Sequence, residues 1–312
     1  MLENQLDKKQ KQVIKPNDFY KTPSEYPFPV FVCCPPAFVD NKVKNNKTME
    51  EMSEHIINRP KFLAQWNNLY NCLAANSCVF LLPPTKGLQD QTYVNSFAYL
   101  PHLKDATIVL SNFTAEGREG EEWVAAELLR SLGYKVIKCP FRFEGEPELK
   151  YIRDNIYIGG YGFRSDIRAH RWLEAEFGCK ILPIKETDEV LYHLDCSVLP
   201  LDEWNVMMCA EIMDRAQLKE VEKVAQIWPI SKQQAYCGAA NSLVVEDCVY
   251  NSSNLEYLRR TDDEYEEQKD KNNRLDFICG ELGKEITYFD LSECEASGAK
   301  LSCFVSHLNY VF

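Results

Sequence analysis

EEWVAAELLRSLGYKVIKCPF, residues 121–141, reads as one structural unit. Over residues 121–132, Trp123, Ala126, Leu128 and Leu129 fall near one face at helical spacing. Gly133 stands where a helix C-terminus takes a left-handed residue, and the β-rich run KVIKCPF (residues 135–141) follows. The same order recurs on both sides. A helical stretch at 59–76 precedes CVFLL (78–82), and one at 166–177 precedes Gly178 and the run 180–184. A stretch at 214–225 precedes the run 226–230, and one at 262–282 precedes Gly283 and ITYFDL (286–291). Five copies at spacings of roughly 45–60 residues predict an internal repeat.

Between the copies lie further apolar runs, predicted as strands at 30–33, 107–110, 155–159, 192–199, 206–209, 243–250 and 301–308. A doubly wound α/β sheet would also alternate helix and strand. The repeat is favoured because each copy carries extra strands beside its helix. In addition, no Gly-x-Gly-x-x-Gly opens any helix. No linker rich in Pro, Gly or Ser divides the chain, so a single domain is expected over residues 26–312, preceded by a solvated tail at 1–25.

The formal charge of −12 argues against a general binder of nucleic acid or anionic membrane, which needs a basic face. No run approaches the ~20 apolar residues that span a bilayer. The charged, Gln-rich start lacks the apolar core of a signal peptide, so a cytoplasmic location with reduced thiols is expected. The 13 cysteines are odd in number and irregularly spaced, without a Cys-x-x-Cys, which argues against a disulfide framework or a zinc site. Most of them sit in apolar runs as small core residues.

Polar residues that interrupt apolar runs mark candidate chemistry, because an unpaired buried polar group is costly. Four places stand out. Glu144 follows an apolar run and precedes Gly145, in FRFEGEPELK (141–150). His193 and Asp195 are embedded in residues 190–201, where strand alternation would put both on one face. Cys303 follows a Gly turn in SGAKLSCFVSH (297–307). Asp90 and Asn95 lie in GLQDQTYVNSFA (87–98). Taken singly, a strand Cys is a core residue, a His beside an Asp is a hydrogen-bonded pair, and a Glu before Gly is a turn residue. Together, a Cys, a His and a carboxylate on separate segments suit thiol nucleophilic catalysis. Acidic neighbours oppose the reactive thiolate. That conflict resolves if the substrate is itself a cation, and a planar guanidinium matches carboxylates.

With these motifs the chain resembles the guanidino-group-modifying enzymes of the pentein superfamily. These include arginine deiminase, arginine dihydrolase, dimethylarginine dimethylaminohydrolase and glycine amidinotransferase. The resemblance runs from about Cys34 to Cys303. It implies an α/β fold, a five-bladed β/α propeller with pseudo-fivefold repeat around a central cavity. It further implies a catalytic set of Cys303, His193 and Glu144, which follow the family's Glu, His, Cys order in the chain. Asp90 and Asp195 would hold the guanidinium, with Asn95 beside them. Arg118 and Arg164 would pair a substrate carboxylate. Asn46, after Cys34-Pro35-Pro36, is similar in spacing to an Asn near the guanidino group of arginine dihydrolases.

The His-Leu-Asp triplet favours arginine-like over methylated substrates. One departure stands out: the family's substrate-binding Asp or Asn three residues after a Phe or Tyr falls here on Ser96, with Asn95 one place early. The implied activity is hydrolysis of a guanidino C–N bond through a covalent thiouronium, releasing ammonia, with no metal or organic cofactor. An amidinotransferase using the same three residues and a catalytically silent binder are the alternatives. The implied partner is a small guanidino compound, and homo-oligomerisation is left open.

Overall fold

The computed structural model describes residues 20–311. Along the chain, β1 (Val30–Cys33) leads through the short helix α1 (Lys47–Glu51) and α2 (Arg59–Asn76) to β2 (Cys78–Leu81). The second unit is β3 (Phe97–Tyr99), β4 (Thr107–Leu110), α3 (Glu121–Ser131) and β5 (Lys135–Lys138). The third is β6 (Leu149–Arg153), β7 (Ile156–Tyr161), α4 (Ile167–Phe177) and β8 (Lys180–Lys185). The fourth is β9 (Val198–Pro200), β10 (Asn205–Met208), α5 (Arg215–Glu222) and β11 (Gln226–Pro229). After α6 (Lys232–Tyr236) come β12 (Leu243–Val245), β13 (Cys248–Ser252), α7 (Asp263–Glu281) and β14 (Glu285–Phe289), and β15 (Ser306–His307) ends the series.

Each unit is a three-stranded sheet. Its first two strands are antiparallel, and a helical crossover brings the third alongside the second in parallel. A parallel neighbour requires such a crossover, which explains why one long helix recurs in every copy. In the first unit β15, from the far end of the chain, takes the antiparallel place beside β1, with Phe31 opposite His307. The two ends of the chain thereby close the ring.

The packing closes it too. Val30 and Val32 of the first sheet pack with Phe97, Ile108 and Ala125 of the second unit. Ala98 and Val109 meet Tyr157 and Leu173 of the third, and Ile158 meets Val206 and Val221 of the fourth. Met207 meets Val249 and Ile278 of the fifth, while Tyr250 returns to Phe31, Phe62 and Leu73 of the first. Five cores, each shared by neighbouring units, give the expected five-bladed propeller. The third strand of four sheets is half-buried or exposed, whereas β3, β4 and β9 are buried throughout. The inner strands therefore face the axis, and the loops at their ends carry the polar residues there. Among the described residues no helix is long and apolar enough to cross a membrane.

All five expected helix–strand copies are present, and Gly133, Gly178 and Gly283 adopt φ of +92°, +69° and +67°. Three expected strands differ. Residues 243–250 are a hairpin of β12 and β13. Residues 192–199 are not a strand. His193 is extended, Leu194–Cys196 is a 3-10 turn, and only Val198 and Leu199 pair, in β9. There the backbone bonds locally, Cys196 N to His193 O and Ser197 N to Leu194 O, while Leu194 N reaches the Glu148 carboxylate. Residues 301–308 likewise begin as a 3-10 turn, Leu301–Phe304, before β15. The tail expected at 1–25 lies outside the described residues up to residue 19. Beyond that point Thr22 and Pro23 are buried, and the Lys21 carbonyl lies against Gly133.

Candidate active site

Glu144 lies on the segment after β5, which an isolated bridge between Asn112 and Phe143 holds in place. The next residue must be glycine. Gly145 has φ +67°, and a Cβ there would stand 2.4 Å from the Asn95 carbonyl and 2.8 Å from that of Phe97. This close approach pushes the Glu144 segment against the Asn95 segment. The Glu144 carboxylate is fully buried and receives His193 Nε2 at 2.8 Å. Arg164 Nη1 approaches both its oxygens at 3.2 and 3.3 Å. Burial alone would raise this carboxyl. The His193 hydrogen bond and the charges of Arg164, His193 and Arg118 outweigh burial and bring it down to about 2. The His193 ring centroid lies 4.7 Å from that of Tyr192, and the Arg164 guanidinium lies over the same Tyr192 ring, 4.7 Å from its centroid.

The nucleophile candidate is tied to this group. Ser302 Oγ donates to Asp195 Oδ2 at 2.7 Å, which joins the turn after His193 to the turn bearing Cys303. Val94 N donates to the Cys303 carbonyl at 2.8 Å and brings in the Asp90–Asn95 segment. Cys303 is 6 % exposed. Burial first, then the Asp195 charge, pushes its thiol up to about 12. Its one side-chain hydrogen-bonding partner among the described residues is Asn241, with Nδ2 at 3.7 Å and Oδ1 at 3.8 Å from Sγ.

The substrate-binding candidates are arranged unevenly. Asp90 is buried. Its Oδ2 accepts from Asn45 Nδ2 at 2.6 Å and from Gln89 at 3.4 Å, while Oδ1 has no partner among the described residues. Burial raises the Asp90 carboxyl against the opposing charges of Arg118 and Arg164. The Asn95 side chain makes no hydrogen bond to any described residue, and neither does Ser96 Oγ. Arg118 is held by Glu121 (Nη2 2.8 Å, Nε 3.2 Å) and by the Tyr93 carbonyl at 2.8 Å. Arg164 is shared between Glu144 and the Asn45 carbonyl. Asn46 caps α1, accepting from Met49 N at 2.9 Å and donating to the Ser297 carbonyl at 3.0 Å. Lys44 to Lys47, Phe163, Arg164 and Tyr192 line an open cleft of about 400 Å³ beside the group.

Four participants escaped the reading of the sequence. Asn45 engages both Asp90, through its carboxamide, and Arg164, through its carbonyl. Nothing in its neighbourhood of Lys and Asn residues marks it. Asn241 sits in a short loop of small residues before β12, with no local pattern to flag it. Glu148 and Glu186 are buried side by side against Gly160, whose hypothetical Cβ would stand 2.3 Å from Glu148 Oε2 and 2.6 Å from Glu186 Oε1. Burial raises both carboxyls, and the charge of Glu148 raises Glu186 further. The Glu-x-Glu in GEPEL was a visible signal for Glu148, since such acids after an apolar run need buried partners.

No known family's sequence profile matches the chain. Over 237 residues it is 29% identical to a bifunctional arginine dihydrolase/ornithine cyclodeaminase of Nostoc sp. strain PCC 7120, covering 74% of this chain and 33% of that protein. Over 144 residues it is 31% identical to the N(G),N(G)-dimethylarginine dimethylaminohydrolase of Mycobacterium tuberculosis, covering 46% of each. The matched regions thus span less than half of either curated relative. Among solved structures, the N-terminal domain of a cyanobacterial arginine dihydrolase, bound to substrate, superposes with a TM-score of 0.77 at 22% identity, covering 90% of this chain and 98% of that one.

Proposed function

We propose that the chain is a pentein-type enzyme that hydrolyses the guanidino C–N bond of arginine or a related guanidine. The observation that carries this reading is the joining of three distant segments around one site. Glu144 is bonded to His193, Asp195 to Ser302, and Cys303 lies next to Ser302. The relatives named for arginine dihydrolase and dimethylarginine dimethylaminohydrolase support the same class.

In the proposed reaction the guanidinium docks on Asp90 and Asp195, and Asn95 offers an unbonded carboxamide. The cation lowers the cost of ionising Cys303 beside Asp195. Sγ attacks the central carbon to form a C–S bond and a tetrahedral adduct. His193, oriented by Glu144, delivers a proton to one nitrogen, which leaves as ammonia. Water, deprotonated by His193, then adds to the thiouronium, and collapse of that adduct breaks the C–S bond. Arginine plus one water gives citrulline plus ammonia. A second round at the same carbon, with one more water, would release a second ammonia and carbon dioxide and leave ornithine. Arg118 and Arg164 are the proposed partners of a substrate carboxylate, which requires Arg164 to leave the Asn45 carbonyl. Asn46 is proposed to shape the entrance through its cap on α1. All thirteen cysteines are free, which supports a reducing, cytoplasmic location.

The test is incubation with arginine, agmatine and methylated arginines, with products identified by mass. Ammonia release with citrulline or ornithine is expected, and Cys303→Ser is expected to abolish it. Transfer of the amidino group to an added amine would instead assign an amidinotransferase. Full activity in the serine variant would overturn the choice of nucleophile.

A further inference from the structure

The one side chain among the described residues that hydrogen-bonds to the nucleophile's sulfur, Asn241, has no part in the proposed chemistry so far. Asn241 is 2 % exposed and lies between α6 and β12. Its Oδ1 accepts the Ser302 backbone N–H at 2.9 Å. Because an N–H donates only to the oxygen, this bond fixes which end of the carboxamide is which. With that orientation, Oδ1 lies 3.8 Å from Sγ as an acceptor for the thiol proton, and Nδ2 lies 3.7 Å from Sγ as a donor to the sulfur.

The loop that carries Asn241 is itself held from behind. Asn251 donates to the Gly238 carbonyl at 2.8 Å and to Ser242 Oγ at 2.7 Å, bracketing the loop. Asn251 is fixed in turn by Lys271 Nζ on its Oδ1 at 2.8 Å. Lys271 is fully buried on α7. A chain of buried polar groups running from one blade's helix to the sulfur costs free energy unless each member is bonded. Here each of these bonds ends on the nucleophile's partner or its supports.

We propose that Asn241 is a catalytic residue that serves Cys303 in both protonation states, accepting from the thiol through Oδ1 and donating to the thiolate through Nδ2 with no change of rotamer. This deepens the guanidino-hydrolase reading and rests on Cys303 being its nucleophile. The arrangement matters because the other groups facing the sulfur are mostly hostile to its ionisation. Asp195 and Cys196 face it from the turn after His193, Tyr192 from the same segment, Cys294 from the turn before, and Tyr93 from the Asp90 segment. Arg118 acts at longer range in the favourable direction. Beside a backbone hydrogen bond at Lys300, Asn241 is thus the neutral side-chain donor within reach of the thiolate before any substrate arrives.

The test separates donation from anchoring. Asn241→Asp keeps an oxygen for the Ser302 N–H but loses the donor to sulfur, and Asn241→Leu loses both. Alkylation of Cys303 by iodoacetamide in the full chain, followed by peptide mass between pH 7 and 10, reads thiolate formation without substrate. Alkylation of Asn241→Asp is expected to be slower by about tenfold or more at a given pH, its profile displaced to higher pH. Its thermal midpoint should stay near that of the parent, while kcat for arginine falls more than KM changes. Asn241→Leu, which removes donor and acceptor without adding charge, is expected to show the same displacement and supplies the comparison should Asn241→Asp fail to fold. A profile superposed on the parent's would overturn the proposal even with arginine turnover intact. If the parent does not turn over arginine but the profile shifts, Asn241 keeps its role and the substrate reading falls.

Discussion

Replacing Glu144 by Gln keeps the side chain's volume and one acceptor oxygen but removes the charge that His193 and Arg164 share. The magnitude follows from the carboxyl itself. Its folded value of about 2 lies below the reference 4.5, a displacement worth about 3 kcal/mol at neutral pH. Removing one member of a buried ion pair costs about 3–5 kcal/mol in general, which agrees. The sign is fixed by linkage. A carboxyl depressed on folding stabilises fully above its unfolded value, and the contribution is lost as pH falls toward the folded one. The parent should therefore exceed Glu144→Gln by about 3 kcal/mol at pH 7, and the gap should narrow by about 1 kcal/mol by pH 4. Urea unfolding at the two pH values measures both quantities, with an expected midpoint displacement of about 1 M at pH 7 for a slope near 3 kcal/mol/M. Equal midpoints at pH 7, or a gap as wide at pH 4 as at pH 7, would refute the claim that an ionised Glu144 holds His193 and Arg164.

Two further perturbations test the surroundings. Asn45→Ala takes the carboxamide off Asp90, so arginine would no longer compete with it. The apparent KM is expected to fall about fivefold with little change in kcat, the worth of one modest hydrogen bond, and a rise in KM would make Asn45 a substrate ligand rather than a competitor. Glu186→Gln removes an acid whose carboxyl burial and Glu148 push upward. Such a group costs stability as pH rises from its unfolded value toward its folded one. The variant should therefore gain on the parent between pH 5 and pH 8 in thermal melts, and a difference independent of pH would sink the claim that burial and Glu148 raise the Glu186 carboxyl.

The propeller was legible because its repeat is written in burial. The middle strands β1 and β4 are buried at every position and read as unbroken apolar runs. The crossover helices end on glycines with positive φ, or run straight into a β-rich stretch, so copy after copy announced itself. The site was legible in its residue types and less so in its geometry. His193, Asp195 and Cys303 were read on strands because their neighbours are apolar. The backbone at both places instead turns in 3-10 geometry and ends its pairing, since a continued strand would have to bury more backbone at the crowded axis. Asn241 and Asn45 were not legible at all. Each acts across more than 40 residues of chain, on Ser302 and Cys303 in one case and on Asp90 and Arg164 in the other. A partnership of that kind leaves no periodicity behind.

The charges around the axis account for why the thiol waits. Asp90, Asp195, Glu121, Glu144 and the Glu148–Glu186 pair are all buried there, against Arg118, Arg164 and His193. Arg118 is paired with Glu121 and Arg164 with Glu144, and among the described residues neither forms an ion pair with Asp195 or Asp90. Burial, and after it the Asp195 charge, raises the Cys303 thiol, and Asp90 Oδ1 has no partner among the described residues. An added anion at Sγ would worsen this excess, whereas a planar cation lying between Asp90, Asp195 and Sγ would relieve it and favour the thiolate in the same event. The site is then complete only when the substrate supplies the missing positive charge.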